Sequence, residues 1–251
     1  MLQGTRNRHG GIYLVPADLP ADDADFAAQL AAALTAWTTE GLALAWLTVP
    51  AGRPGLIAPA LALGFEFHHC TPAQLTLTRR LREAAYIPGY ASHTVGVGAV
   101  VLNGRDELLT VVERRDLVAR PGYFKLPGGM LERGEHIADG VVREVFEETG
   151  VRAEFQGLLS LRHHHQGQFA TSNLYLVARL RPLSETIAID EREIGLARWM
   201  PVAEFLACAS VGPYNKRVVQ AALDGGVLAA EELAGYMDAA KDYEIFVSPP
   251  A

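Results

Sequence analysis

The sequence predicts an α/β protein in two unequal parts, and three observations carry that reading. Short apolar runs of strand length alternate with helical stretches along most of the chain. The segment IPGYASH (87–93) carries Pro, Gly and Ser without periodicity and reads as a linker after a first section of about ninety residues. The composition, 251 residues with 49% hydrophobic and 20% charged, is that of an ordinary globular protein. The expected domains are residues 1–90, residues 91–225 and a C-terminal helical tail, 226–251.

The same numbers exclude whole classes. Disorder, collagen and disulfide scaffolds do not have this composition. Cys70 and Cys208 are too few and too far apart for a framework; they read as small buried hydrophobes in a reducing compartment, and the expected location is cytoplasmic. No apolar run approaches the ~20 residues of a membrane helix, and the first ten residues lead into no signal-peptide core. The net charge of −7 argues against nucleic-acid binding through a general basic surface. A polyanionic substrate would need something other than bulk charge to hold it, and a metal is the usual answer.

The elements follow in order. IYLVPA (12–17) reads as a strand, and Asp22 and Asp23 offer caps before FAAQLAAALTAW, a helix ending near Gly41. LALAWLTVP (42–50) is a buried strand, AGRPG a turn, and LIAPALAL a helix that stops at Gly64. FEFHHC and AQLTLTRRL are two more strands. After the linker, TVGVGAVVLN and ELLTVVERRD are expected to pair as a hairpin across Gly104-Arg105-Asp106, and PGYFKLPGG is a loop. A helix spans Ile137 to Glu148, with Gly150 as its left-handed cap. Strands follow at FQGLLSLRHHH, NLYLVARLRP and GLARWMP, then helices at AEFLAC and NKRVVQAAL. The tail carries a weak helical signal, LAAEELAGYMDAAK.

The chemistry concentrates in residues 129–151, GMLERGEHIADGVVREVFEETGV. On a helix from Ile137, the residues Ile137, Val141 and Val145 form one apolar stripe. Glu144, Glu147 and Glu148, spaced i, i+3, i+4, project together from another face. Three carboxylates that close cannot all stay ionised without a counter-charge, so at least one pKa rises. A hard divalent cation is the economical counter-charge. Arg143 precedes Glu147 by four residues and can reach back to Glu135, pinning the loop to the helix, while Gly128 and Gly129 let the backbone approach an ion. A solvated acidic helix face is the bland alternative.

This spacing resembles the Nudix box, G-x5-E-x7-R-E-U-x-E-E-x-G-U with U aliphatic. Gly129, Glu135, Arg143, Glu144, Val145, Glu147, Glu148, Gly150 and Val151 fill every defined position. The runs SHTVGVGAVVLN, LRPLS, WMPVAEF and GFEFHH extend the resemblance over roughly residues 10–220. They are similar to plant Nudix hydrolases acting on ADP-ribose and NADH and to the vertebrate Nudix group encoded antisense to a fibroblast growth factor. Many plant members have P-T-G where this chain has Pro127-Gly128-Gly129. The resemblance implies a Nudix α/β/α sandwich with a mixed sheet, preceded by a smaller, acetyltransferase-like α/β pre-Nudix domain. It implies Mg²⁺- or Mn²⁺-dependent hydrolysis of a nucleoside diphosphate linked to another moiety, and a homodimer. Glu144 and Glu148 would be metal ligands, with Glu147 as ligand or water-activating base and Gly129 beside the ion. Glu135 and Arg143 would support them.

Substrate signals are weaker. The coenzyme A subfamily pattern is only begun by Leu108-Leu109-Thr110, with Val112 in place of its arginine. The SQPWPFPxS signature of another NADH-hydrolysing subfamily is absent. Candidate substrate contacts are His165, Phe169 and Ser172 in the loop 162–173, together with Phe124; Phe169 could stack on a base or merely pack the loop. Glu191 or Glu193, near Asp190, could supply an additional acid or be solvated. His163-His164-His165 cannot converge on one ion, because adjacent strand residues face opposite ways; only His163 and His165 can share a face. One buried histidine with its neighbours exposed is expected there and at His68-His69.

Two other readings compete with an enzyme. One makes the N-terminal section an acyl-CoA-binding module, since its strand–helix order and Leu63-Gly64-Phe65 resemble half an acetyltransferase fold. Pro54 and Pro59 in AGRPGLIAPAL remove N–H donors where a pyrophosphate would need them, so no acetyl transfer is expected. The other is a nucleotide-binding sensor on a Nudix fold, for which the full set of Glu144, Glu147 and Glu148 is unnecessary.

Overall fold

The computed structural model describes residues 2–7, 10–165, 171–230, 244 and 246–247. The chain divides into two compact units, Met1–Ser92 and His93–Ala251.

The first unit is one sheet with helices on one face. Its strands are β1 (Thr5–Arg6), β2 (Ile12–Leu14), β3 (Leu44–Pro50), β4 (Glu66–Thr71) and β5 (Gln74–Arg80), in the order β1-β2-β3-β5-β4. β2 and β3 are parallel, and the other neighbours are antiparallel. The alanine-rich stretch forms helix α1 (Phe26–Thr39), and Ile57–Ala62 forms α2. Alternation along the strands decides the packing. Ala45, Leu47, Val49 and Leu77 face Phe26, Leu30, Leu34 and Trp37 of α1 in one core. Trp46, between them in sequence, points to the opposite face with Leu44, Ala85 and Ile87. Asp22 caps a single helical turn ahead of α1, by accepting from the Ala24 N–H, and leaves α1 itself without a side-chain cap.

The second unit has strands β6 (His93–Val101), β7 (Glu107–Glu113), β8 (Gly128–Met130), β9 (Ala153–His164), β10 (Ser172–Pro182) and β11 (Ile194–Pro201). The helices are α3 (Asp116–Ala119), α4 (Ile137–Thr149), α5 (Val202–Ala207) and α6 (Pro213–Asp224). The main sheet runs β8-β6-β10-β9, with β6 and β10 parallel. Its α4 face carries Val97, Ala99 and Val101 of β6 and Leu176, Ala178 and Leu180 of β10, packed on Val141 and Val145. Val100 and Val177, from the alternate positions, pack against Phe205 of α5 and Val218 and Val219 of α6. The result is the α/β/α sandwich the sequence implied.

The expected hairpin forms only at its turn. Asn103 donates its backbone N–H to Glu107 O, and one bridge joins Leu102 to Leu108. Beyond it the strands part, and β7 pairs with β11 in a separate two-stranded sheet. The reason is occupancy: β6 is central, with β8 on one edge and β10 on the other.

Both cysteines depart from the buried reading. Cys70 is exposed on the edge strand β4, and Cys208 is half-buried just past α5, its Sγ 3.1 Å from Ser210 Oγ. The expected tail helix falls mostly on residues outside those described. Ala229–Ala230 pairs with Phe246–Val247. Among the described residues, no helix is long and apolar enough to cross a membrane.

Candidate active site

Helix α4 is held by its stripe. Val141 and Val145 are fully buried, Ile137 packs at the edge, and Gly150 ends the helix in the left-handed conformation at φ 70°. With that face fixed, Glu144, Glu147 and Glu148 are turned toward the β8 strand and the solvent beside it.

Arg143 organises the acids. Its Nε donates to Glu135 Oε1 at 2.7 Å and its Nη2 to Glu135 Oε2 at 2.9 Å. Nη1 donates to Glu144 Oε1 at 3.0 Å and to Glu147 Oε2 at 2.9 Å, and Nη2 also reaches Met130 O at 3.2 Å. The expected brace from Glu135 to Arg143 is therefore present, and Arg143 also joins two members of the acidic cluster. The hydrogen bonds from Arg143 hold the Glu135 carboxyl below its ordinary pKa.

The three helix acids differ in environment. Glu147 is largely exposed. Glu148 is 4% exposed, and its Oε2 accepts from the Gly128 N–H at 2.9 Å. Burial pushes the Glu148 carboxyl up to about 7, against the opposing pull of the Gly128 N–H. Glu144 is raised as well, again chiefly by burial. Its carboxylate lies against Gly129, where any Cβ would collide with it. A side chain at position 129 would therefore displace the Glu144 carboxylate.

Among the described residues, no group of three His, Cys, Asp or Glu side chains stands ready to hold a metal ion, since Arg143 takes Glu144 and Glu147. The chemistry of the donors nonetheless suits a hard cation. Two carboxylates are desolvated, and Lys125, which pulls Glu148 the other way, is itself paired with Glu113.

The candidate additional acids separate. Glu193 lies within electrostatic reach of both Glu144 and Glu148. Glu191 offers its backbone O to Arg114 and is not among the groups that shift either acid. Asp190 is bound to Arg192, which pulls its carboxyl down to about 2.

The substrate candidates do not form one cluster. His165 Nδ1 is 3.4 Å from Ser172 Oγ, across the open end of the β9–β10 pair. Phe124 packs into the α5–α6 core, with the Arg198 guanidinium 4.6 Å from its ring centre. Phe169 lies outside the described residues. No histidine of the triplet is buried: His163, His164 and His165 are all exposed, because β9 is the sheet's edge strand. His163 and His165 do share a face, with ring centres 4.2 Å apart, and His163 Nε2 meets His93 Nε2 at 3.0 Å. His68 and His69 are both half-buried, so that expectation of one buried partner also fails.

Sequence reasoning missed Glu244. Its carboxylate accepts from the Ile137 N–H and, at 3.2 Å, from the Ala138 N–H, with His136 Nδ1 3.6 Å away. It thus caps α4, whose own N-cap residue His136 makes no side-chain cap bond.

A sandwich that presents a complete, arginine-braced acidic helix matches a known family. The profile described as the NUDIX domain matches residues 92–222, and one described as the Nudix hydrolase domain matches residues 2–81. The chain belongs to the Nudix family. It is 39% identical over 208 residues to Nudix hydrolase 8 of Arabidopsis thaliana, covering 82% of this chain and 56% of that protein. It is 40% identical over 231 residues to nucleoside diphosphate-linked moiety X motif 6 of Homo sapiens, covering 89% of this chain and 72% of that protein. A solved NUDIX hydrolase from Nitrosomonas europaea is 28% identical with a TM-score of 0.43, covering 53% of this chain and 89% of that one.

Proposed function

We propose that the protein hydrolyses the diphosphate bond of a nucleoside diphosphate linked to another moiety. ADP-ribose and NADH are the first substrates to test, each giving AMP and a phosphorylated second product. The observation that carries this reading is the buried Glu148 carboxylate beside Glu144, on a helix that Arg143 locks to Glu135. A relative named for nucleoside diphosphate-linked moieties supports it.

Glu144 and Glu148, with Glu147 and the Gly129 carbonyl, would hold Mg²⁺ or Mn²⁺. When bound, the cation neutralises diphosphate charge and acidifies a water. The chain's own groups do the rest. Where Glu147 is not itself a ligand, its exposed carboxylate would accept the proton of a water whose oxygen bonds to one phosphorus while the bridging P–O bond breaks, yielding two phosphate monoesters. Arg143 orients Glu144 and Glu147, and Glu193 adds charge to the cluster. His165, Ser172 and Phe169 would meet the nucleotide where β9 gives way to β10. A cytoplasmic homodimer that uses the N-terminal unit completes the reading.

The test is chromatographic detection of AMP from a panel of nucleoside diphosphate derivatives, with Mg²⁺ or with EDTA. Metal-dependent AMP release supports the proposal. No metal-dependent release from any member overturns it.

A further inference from the structure

The first unit carries a cavity of about 350 Å³ on the sheet face turned away from α1 and α2. Trp46 and Thr48 of β3 and Gln74 and Thr76 of β5 line it, with Tyr13 on one side and His68, His69 and the Pro88-Gly89 backbone on the other. Rings dominate its wall. Trp46 meets His68 edge-on at 4.7 Å, Tyr13 lies 5.7 Å from Trp46, and His69 stacks on Tyr90 at 4.4 Å with planes 2° apart.

Two features are unexplained by packing alone. The Trp46 indole N–H is buried and has no hydrogen-bond acceptor. A buried donor without an acceptor is costly, so it calls for a partner. The two histidines also constrain each other's tautomers. His68 Nε2 lies 2.7 Å from Pro88 O, which can only accept, so His68 donates there. His68 Nδ1 lies 2.7 Å from His69 Nδ1. With both rings neutral, His68 Nδ1 accepts from His69 Nδ1–H, and this leaves His69 Nε2 as an acceptor. The lining thus carries an imidazole acceptor, the hydroxyls of Tyr13, Thr48 and Thr76 and the Gln74 amide, with the Trp46 N–H buried beside them. No lysine, arginine, aspartate or glutamate lines it.

We propose that this cavity binds a neutral nitrogen heteroaromatic ring bearing an amino or amide group. The aromatic wall takes its face. The ring's own acceptor nitrogen or carbonyl satisfies Trp46 N–H, and its N–H group donates to Thr76 Oγ1, with His69 Nε2 as a second acceptor. The Trp46 N–H is covered, so a ligand reaches it only when a neighbour moves; the exposed Tyr13 ring, 5.7 Å from Trp46, is the side chain we expect to move. A phosphate finds no cationic partner here, so any phosphorylated part of a ligand stays outside. This site is independent of the diphosphatase reading.

The test uses the full-length protein in EDTA, with adenosine and nicotinamide as probes, neither of which has a diphosphate to hydrolyse. The indole N–H resonances report binding, and Trp46→Phe assigns the one that matters. A saturable shift of the Trp46 signal is expected with at least one probe. Binding should weaken at least ~10-fold in Trp46→Phe and in Thr76→Val, the loss expected from one buried hydrogen bond. If Trp46→Phe does not fold, Thr76→Val decides alone. Glu148→Gln should leave the affinity unchanged. Three results would each overturn the proposal: no saturable shift up to ~5 mM of either probe, equal affinity in Thr76→Val, or loss of binding in Glu148→Gln.

Discussion

Glu148→Gln separates stability from catalysis in opposite directions. In the metal-free protein, burial raises the Glu148 carboxyl from 4.5 to about 7. An acid whose pKa is raised on folding contributes stability that is fully present below the unfolded pKa and is lost as pH rises through the folded one. At pH 8 the difference of about 2.5 units corresponds to roughly 3 kcal/mol lost. Gln keeps the shape, and its carbonyl oxygen can still accept from Gly128 N–H. Its NH₂ lacks the partner a carboxylate would not need, at a cost of about 1 kcal/mol. The variant should therefore be more stable than the parent by roughly 2 kcal/mol at pH 8 in EDTA, with no advantage near pH 4. Urea unfolding of both proteins across that range reads the difference, and other titrating groups cancel. Turnover with Mg²⁺ should fall by at least ~10²-fold, the scale of losing one well-placed electrostatic group. Added Mg²⁺ should stabilise the parent more than the variant. A stability difference that is flat with pH would refute the burial argument. Near-normal turnover in the folded variant would refute the role.

Arg143→Ala leaves Glu135, Glu144 and Glu147 without their shared partner; we expect roughly 2 kcal/mol of lost stability by urea unfolding, below the fully buried case because the site is partly exposed, and weaker Mg²⁺ binding by calorimetry. An unchanged melting temperature and metal titration would make the brace decorative. Glu244→Ala should cost about 1 kcal/mol, as lost helix caps do, and speed amide exchange at Ile137 and Ala138; unaltered exchange there would show that the cap is idle. Glu193→Gln should weaken Mg²⁺ binding while Glu191→Gln does not, and equal effects would undo the distinction drawn from their positions. A protein beginning at Ser92 should lose dimerisation in light scattering, and a truncated protein that remains a dimer of normal activity would count against the proposed role of the first unit.

The helix that bears the acids was legible because several local rules agree over residues 137–151. The apolar stripe fixes its buried face, Gly150 fixes its end, and the spacing of the glutamates follows from both. Strand alternation decides which residues of β6 and β10 face α4, although the sequence reading placed only the strands. What escaped depends on neighbours distant in sequence. A tight turn after β6 looks like a hairpin until β8 and β10 are known to occupy both edges of β6. The β8 strand itself is three residues with two glycines, too short and too bare to show a period. His163 to His165 and Cys70 are exposed because their strands fall at sheet edges, and strand order is set by topology, not by local pattern.

The same distinction orders the site. Arg143 can be paired with Glu135 and Glu147 from spacing alone, since both lie within reach along one segment. Its bond to Glu144, the adjacent residue, needs the side chain to fold back across the helix, and only coordinates show that. Glu244 is more extreme: its caps on Ile137 and Ala138 span 107 and 106 positions, with no pattern to announce them. The two extra contacts act on the same object. Glu244 neutralises the exposed N–H groups at the start of α4, and Arg143 offsets acid charge near its middle. Glu148 is left to carry its desolvation with one N–H from Gly128. With the helix tied down at both places, we expect Glu148 to stay desolvated, and the cation that the proposed function calls for would meet that carboxylate's unmet demand for positive charge.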